Sequence, residues 1–262
     1  MPEKKPRQLS ETILKISDGI LCKAVDLVLF WVYLICETGP LHGGSIYKSF
    51  SRVERDFDQF DSGTLKNALK NSVSAGWLDN NLRLTDKGWR KLSAVLPIYD
   101  SQPKEWDGVW HIVSYDIPEK KRRRRDILRG ILLKLGFGPL HKSLWICPYN
   151  FLDDVEKIAK RYEIADSVLL AEANRLGKEP SRVLADKVWR LKEINQDYQE
   201  YIQSIRKKEL TKHQAAFGYL SILKRDPQLP DVLLPDNWLG REAYEICCKL
   251  VGKRLYFGKK IR

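Results

Sequence analysis

WDGVWHIVSYDIPEKKRRRRDILRGILLKLGFGPLHKSLWICP, residues 106–148, decides the fold. Within it HIVSYD (111–116) alternates apolar and polar side chains, the two-residue period of a strand with one face in a core, and Ile117-Pro118-Glu119 turns the chain. From 119 to 134 the sequence carries eight basic and two acidic residues. Leu128, Ile131, Leu132 and Leu135 recur there at helical spacing, so this segment predicts a helix with one buried stripe. Gly136-Phe137-Gly138-Pro139 ends that helix, and KSLWIC (142–147) reads as the next strand.

A further helix near 152–162 and a strand at 167–171 follow. With one short extra strand the order becomes β-α-β-β-α-β, a ferredoxin-like plan spanning residues 106–178. Asp116 ends the first strand. It either caps the following helix, accepting backbone N–H groups near Arg122, Arg123, Arg124 and Arg125, or contributes to a divalent-metal site. The basic cluster itself suits a DNA backbone, an anionic ligand or acids at a dimer interface.

Upstream, an apolar segment predicts a helix over 23–37, stopped by Thr38-Gly39-Pro40, and a short helix over 45–53. Asp61-Ser62-Gly63-Thr64 is a capping signal, after which Leu65, Ala68, Leu69, Ser72 and Val73 share one helical face. The opposite face carries Lys66, Asn67, Lys70, Asn71 and Ser74. Lysine suits phosphate, and the asparagine amide can form paired hydrogen bonds with adenine. Next come Gly76-Trp77-Leu78, a turn at Asp79-Asn80-Asn81, and Leu82-Arg83-Leu84: a short hairpin, with Arg83 positioned to touch DNA. Thr85-Asp86-Lys87-Gly88 caps a last helix reaching Leu92. The succession helix, helix, helix, hairpin, helix is that of a winged helix-turn-helix over residues 20–97. The competing reading is a helical adaptor whose Lys/Asn face is solvated.

After Glu179-Pro180-Ser181 a long helical pattern places Leu191, Ile194, Tyr198, Tyr201 and Ile205 near heptad spacing, as core or dimer contact. A helix over 212–225, a proline-rich run at 229–235 and a last helix from 240 toward 255 complete a helical C-terminal domain over residues 180–262. Residues 1–19, charged and without an apolar core, read as a flexible arm.

Lys and Arg outnumber Asp and Glu by 46 to 34 in the 262 residues, and the formal charge of +12 draws polyanions. Five cysteines without a CxxC pair suggest neither a disulfide framework nor zinc, and four scattered histidines lack metal-site spacing. The longest apolar run, 27–36, is half of what a membrane span needs. The expected location is cytoplasmic.

The order of strand, IPE turn, arginine run, GFGPL and Trp-containing strand in residues 106–148 resembles the central domain of the PaaX family of phenylacetic-acid regulators. RDPQLPDVLLPDNWLGREA, residues 225–243, resembles that family's C-terminal signature, so the likeness covers roughly 106–256. It implies a homodimeric repressor binding double-stranded DNA through an N-terminal winged helix and answering to a small-molecule effector, an anionic one in the family's best-known members. The central domain is also similar to CRISPR-associated protein 2. There, the acid at the position of Asp116 binds metal across a dimer interface, which implies an alternative: a Mg²⁺-dependent endonuclease. One departure stands out: LKNALKNSV (65–73) occupies the place of the family's arginine-bearing recognition helix.

The expectation is therefore an α+β chain with a winged helix-turn-helix, a ferredoxin-like centre and a helical C-terminal domain. It acts as a regulator without cofactor or membrane partner. Lys66, Asn67, Lys70, Asn71 and Arg83 face DNA, and Asp116 has a metal role only under the alternative.

Overall fold

The computed structural model describes residues 24–36, 62–93 and 105–252. The arm at 1–19, the helix expected over 45–53 and the capping signal at Asp61 lie outside the described residues. The chain is α+β. In order it forms α1 (Ala24–Cys36), α2 (Ser62–Ser74), α3 (Asp86–Ser93), β1 (Trp110–Tyr115), α4 (Arg122–Lys134), β2 (Gly138–His141), β3 (Leu144–Cys147), α5 (Leu152–Arg161) and β4 (Val168–Ala173). Then come α6 (Ser181–Trp189), α7 (Leu191–Arg206), α8 (Lys212–Leu223) and α9 (Gly240–Val251). These elements fall into two compact units. One holds the described residues of 24–93 together with 194–226 and 239–252; the other holds 105–193 and 227–238.

The second unit is built on an antiparallel sheet of order β2-β3-β1-β4. β1 pairs with β4 from Trp110↔Ala173 to Tyr115↔Val168 and with β3 from His111↔Cys147 to Ser114↔Leu144. The strand period divides its side chains between two cores. Val113, Tyr115, Trp145 and Cys147 pack with Leu128 and Leu132 of α4 and Val155 and Ala159 of α5. Trp110 and Ile146 point the other way, against Leu184 and Ala185 of α6, Leu191, and Leu229, Leu233 and Leu234 of the proline-rich run. That second cover reaches the sheet closely: a Cβ on Gly138 would lie 2.2 Å from Val188 Cγ1 and 2.6 Å from Trp189 Cε2, so only glycine fits.

The helical pattern after residue 180 is not one helix. Arg190 adopts a left-handed conformation, φ 57°, and its N–H donates to Asp186 O, ending α6. Asp186 Oδ1 then accepts the N–H of Lys192 at 2.9 Å, at the start of α7. Leu191 is buried in the core of the sheet unit, Ile194, Tyr198 and Tyr201 are buried in the other unit, and Ile205, the last residue of the pattern, is half-buried.

In the first unit α1 is buried from Val28 to Tyr33, and Leu65, Ala68, Leu78 and Leu92 complete the apolar interior of its N-terminal part. Tyr33 meets Trp89 of α3 edge to face at 5.3 Å. The C-terminal part is organised around α8, which opens with a Thr211/Gln214 capping box and buries every residue from Gln214 to Leu223. A helix apolar all round needs neighbours all round. Tyr198 Oη donates to buried Asp226 Oδ2 at 2.8 Å, Tyr201 Oη donates to Ala215 O at 2.8 Å, and Asn195 Oδ1 accepts from Leu239 N at 2.8 Å.

Candidate nucleic-acid interface

On α2, Leu65, Ala68 and Ser72 are buried, while Lys66, Asn67, Lys70, Asn71 and Ser74 are exposed. The division follows the 3.6-residue period that the sequence suggests. Ser72 Oγ donates to Ala68 O at 2.7 Å, which satisfies a hydroxyl that would otherwise be buried unpaired. The residues after α2 hold it against α3. Leu78 and Leu84 form the single bridge of a short hairpin. Its tip is closed by one carboxylate: Asp79 Oδ1 accepts the N–H groups of Asn81 at 2.9 Å and Arg83 at 2.8 Å. Leu82 takes a left-handed conformation, φ 56°, to complete the turn, and Arg83 is exposed beside it.

The Thr85-Asp86-Lys87-Gly88 signal is a clasp as well as a cap. Thr85 Oγ1 accepts the N–H of Gly88 at 3.1 Å and donates to Gly76 O at 2.6 Å. Lys87 Nζ donates to Ala75 O at 2.8 Å. Lys91 Nζ sits 4.6 Å from the centre of the Trp77 ring and 3.7 Å from buried Asp26 of α1. Lys87 and Lys91 therefore serve packing, while Lys66, Asn67, Lys70, Asn71 and Arg83 stand on exposed ground in one module. The clasp was invisible in the sequence, where Thr85 announced only a helix start.

In the other unit the arginine run divides. Arg124 Nη2 pairs with Glu163 Oε2 at 2.8 Å, and Lys121 Nζ donates to Glu163 O at 3.0 Å, tying the start of α4 to the turn after α5. Arg125 Nη1 donates to Glu119 Oε2 at 2.8 Å. That hydrogen bond and the adjacent guanidinium charge hold the Glu119 carboxyl below its ordinary range. Arg122 touches Glu119 and Asp126 only at 3.9 Å. Arg123 is exposed, as are Lys120, Arg129 and Lys134, further members of the eight basic residues between 119 and 134.

Asp116 does not cap α4. A 3-10 turn, Glu119–Lys121, intervenes, and the residue at the cap is Lys121, without a side-chain cap bond. The strand continues one step past Tyr115, with Asp116 N donating to Ser167 O at 2.9 Å, and the carboxylate is left exposed. Among the described residues no three His, Cys, Asp or Glu side chains gather in a group able to hold a metal ion. His111 is buried, with Nε2 3.5 Å from Glu172 Oε1, and Cys147 and Cys247 are buried thiols outside any disulfide.

Residues 103–185 match the PaaX protein central Cas2-like domain, and residues 189–259 match the PaaX-like protein C-terminal domain. The chain belongs to the PaaX family. Transcriptional repressor PaaX of Escherichia coli strain K12 is 29% identical over 218 residues, an alignment covering 73% of this chain and 68% of the repressor. Among solved structures, uncharacterized protein Rv0674 from Mycobacterium tuberculosis superposes with a TM-score of 0.52 at 20% identity, covering 74% of this chain and 82% of that one. At that identity the likeness is one of fold. The two PaaX segments take in the whole sheet, α4, α5, α7 to α9 and the proline-rich run, with α6 straddling the gap between them, while α2, the hairpin and α3 precede both. Among the described residues, no helix is long and apolar enough to cross a membrane.

Proposed function

We propose that this protein is a DNA-binding transcriptional regulator, a homodimeric repressor of the PaaX type. The observation that carries the reading is the exposed Lys/Asn face of α2, backed by buried Leu65 and Ala68 and followed at once by a clasped hairpin and α3, in a chain of this family. We read α1 to α3 with the hairpin as a winged helix-turn-helix. In it, Lys66 and Lys70 engage phosphates, Asn67 and Asn71 address bases in the major groove, and Arg83 on the wing contacts the backbone or minor groove. We read the sheet unit as ferredoxin-like, a reading supported by its βαββαβ succession and strand order. The homodimer has support in β4: this edge is regular over six residues, free of proline, and carries Leu169 at 61% exposure. The β2 edge is instead blunted by Pro139 and a register shift. A small anionic effector, needing no resident cofactor, completes the proposal; the chain's basic surplus suits such a ligand.

Selecting bound fragments from genomic DNA tests the reading: a specific palindromic site is expected. Lys66→Ala and Lys70→Ala should each weaken binding uniformly and flatten the salt slope by about one unit; unchanged slopes remove them from the interface. Homology to a repressor favours this over the endonuclease. Mg²⁺-dependent cleavage abolished by Asp116→Ala, with DNA binding intact, would reverse that order.

A further inference from the structure

The outer face of α4 carries charge that the fold does not use. Lys121, Arg124 and Arg125 are committed to Glu163 and Glu119. Lys120, Arg123, Arg129 and Lys134 form no ion pair or side-chain hydrogen bond among the described residues, and Arg122 is 71% exposed with only 3.9 Å contacts. On a helix of 3.6 residues per turn, Arg123 and Lys134 lie across from buried Leu128 and Leu132, Arg122 and Arg129 share one flank, and exposed Leu133 stands between the two pairs. Asp126 is the one acid among them. An array of cations on one rigid helix, with a single anion to offset it, repels its own copy and attracts a polyanion.

Gly130 adds an independent sign. It sits mid-helix on this outer side, where a Cβ would meet nothing within 4 Å, so no contact among the described residues requires glycine there. Glycine within a helix is otherwise unfavourable. A missing side chain between Arg123, Asp126 and Lys134 leaves the helix backbone open to close approach from outside.

We infer that the outer face of α4, through Arg122, Arg123 and Arg129, is a second contact surface for the phosphate backbone of duplex DNA. This rests on the DNA-binding reading and extends it beyond α2 and the wing. Arg122 and Arg129, seven residues apart, are separated by about 10 Å along the axis, a span that flexible guanidinium arms convert into contacts with successive phosphates. The contact reads no bases: it adds affinity equally on every sequence and steepens the dependence on salt.

The test uses the full chain and a random-sequence duplex of about 40 base pairs, titrated across salt concentrations. R122Q/R123Q/R129Q should lower affinity and reduce the salt slope by about two to three units. Asp126→Lys, which adds a cation to the same face, should raise affinity and steepen the slope by about one unit, a gain that misfolding cannot imitate. Affinity and slope unchanged in both variants, while Lys66→Ala and Lys70→Ala still weaken binding, would overturn this surface and leave the regulator standing. A wild-type protein with no salt-dependent duplex binding would remove both. An RNA or acidic protein partner is indicated if the arginine variants lose that partner alone, an outcome that also overturns the assignment to DNA.

Discussion

Gly88→Ala puts the clasp between the hairpin and α3 to a direct test. A methyl group built on Gly88 would stand 2.0 Å from Trp77 O, 2.9 Å from Trp77 C and 3.0 Å from Leu84 Cδ2, whereas ordinary contact begins at 3.4 Å. The first two atoms are backbone and cannot rotate away, so α3 and the hairpin must separate by more than about 1 Å. Overpacking of this kind costs roughly 1–3 kcal/mol. The displaced carbonyl also accepts the N–H of Thr85 at 3.1 Å, and losing such a bond adds about 1 kcal/mol. Alanine returns up to about 1 kcal/mol of helix propensity, less in a first turn. The expected net is a loss of about 2–3 kcal/mol confined to the N-terminal module. Hydrogen–deuterium exchange reads it locally: the amides of Leu78, Thr85 and Trp89 should exchange faster, while those of β1 and β4 keep their protection. DNA affinity should fall with it. Unchanged exchange at Thr85 and Trp89, with an unchanged denaturation midpoint, would refute the close approach from which the cost is derived.

The same substitution has the opposite sign at Gly130: with open space around it, Gly130→Ala should raise stability by about 0.5–1 kcal/mol in a thermal or denaturant melt. In the C-terminal helices, Tyr198→Phe leaves the buried Asp226 carboxylate without its 2.8 Å donor and should cost about 1–3 kcal/mol. A double-mutant cycle with Asp226→Asn should return a non-zero coupling; additivity would dismiss the bond. Burial pushes the Cys247 thiol from its ordinary 9.0 up to about 12, and raises the neighbouring Tyr201 phenol well above 10. Both are neutral when folded and ionise more readily unfolded, so their contribution is present below pH 9 and is lost as pH rises toward 12. Melting temperatures followed from pH 8 to 11 should fall, and Cys247→Ala should flatten part of that fall; an unaltered curve would count against it.

How far these features could be read from residue order depends on whether they are local. The strand at 111–116, the amphipathic helix beginning at Arg122 and the two faces of α2 follow from periodicity, because a two-residue or 3.6-residue repeat is written in consecutive positions. Features that depend on distant partners were not legible. Nothing in PEKKRRRRD says that Glu163 draws Lys121 and Arg124 to itself, so the run read as one cluster where the fold divides it. Asp116 read as a cap because the 3-10 turn separating it from α4 is too short to leave a periodic trace. The left-handed Arg190 carries no glycine to announce it, so nothing in the residue order marked a break just before the heptad-like pattern that begins at Leu191. The candidate DNA face was legible as chemistry, while the clasp that orients it joins Thr85 to Gly76 and Lys87 to Ala75 across a turn.

The destination of the proline-rich run leads to a further test. A βαββαβ sheet with both helices on one face leaves the other face for something else to cover. Here that face carries Trp110 and Ile146, with Ile112 and Leu140 partly buried beside them. Its cover comes from α6 and from Leu229, Leu233 and Leu234, and Tyr149 Oη secures the run by donating to Gln228 O at 2.9 Å. The run is not extended throughout: a 3-10 turn over Asp231–Leu233 follows Pro230 and buries Leu233 against the sheet. The sheet and the run thus share one core although a helical region separates them in sequence. A chain shortened to residues 105–178 would keep every strand yet expose the tryptophan face, an area on which soluble chains associate. It should sediment as oligomers and lack a cooperative melt, while adding a peptide of residues 227–238 should restore little, because α6 is missing as well. A monomeric, cooperatively melting 105–178 fragment would show that the second core is dispensable.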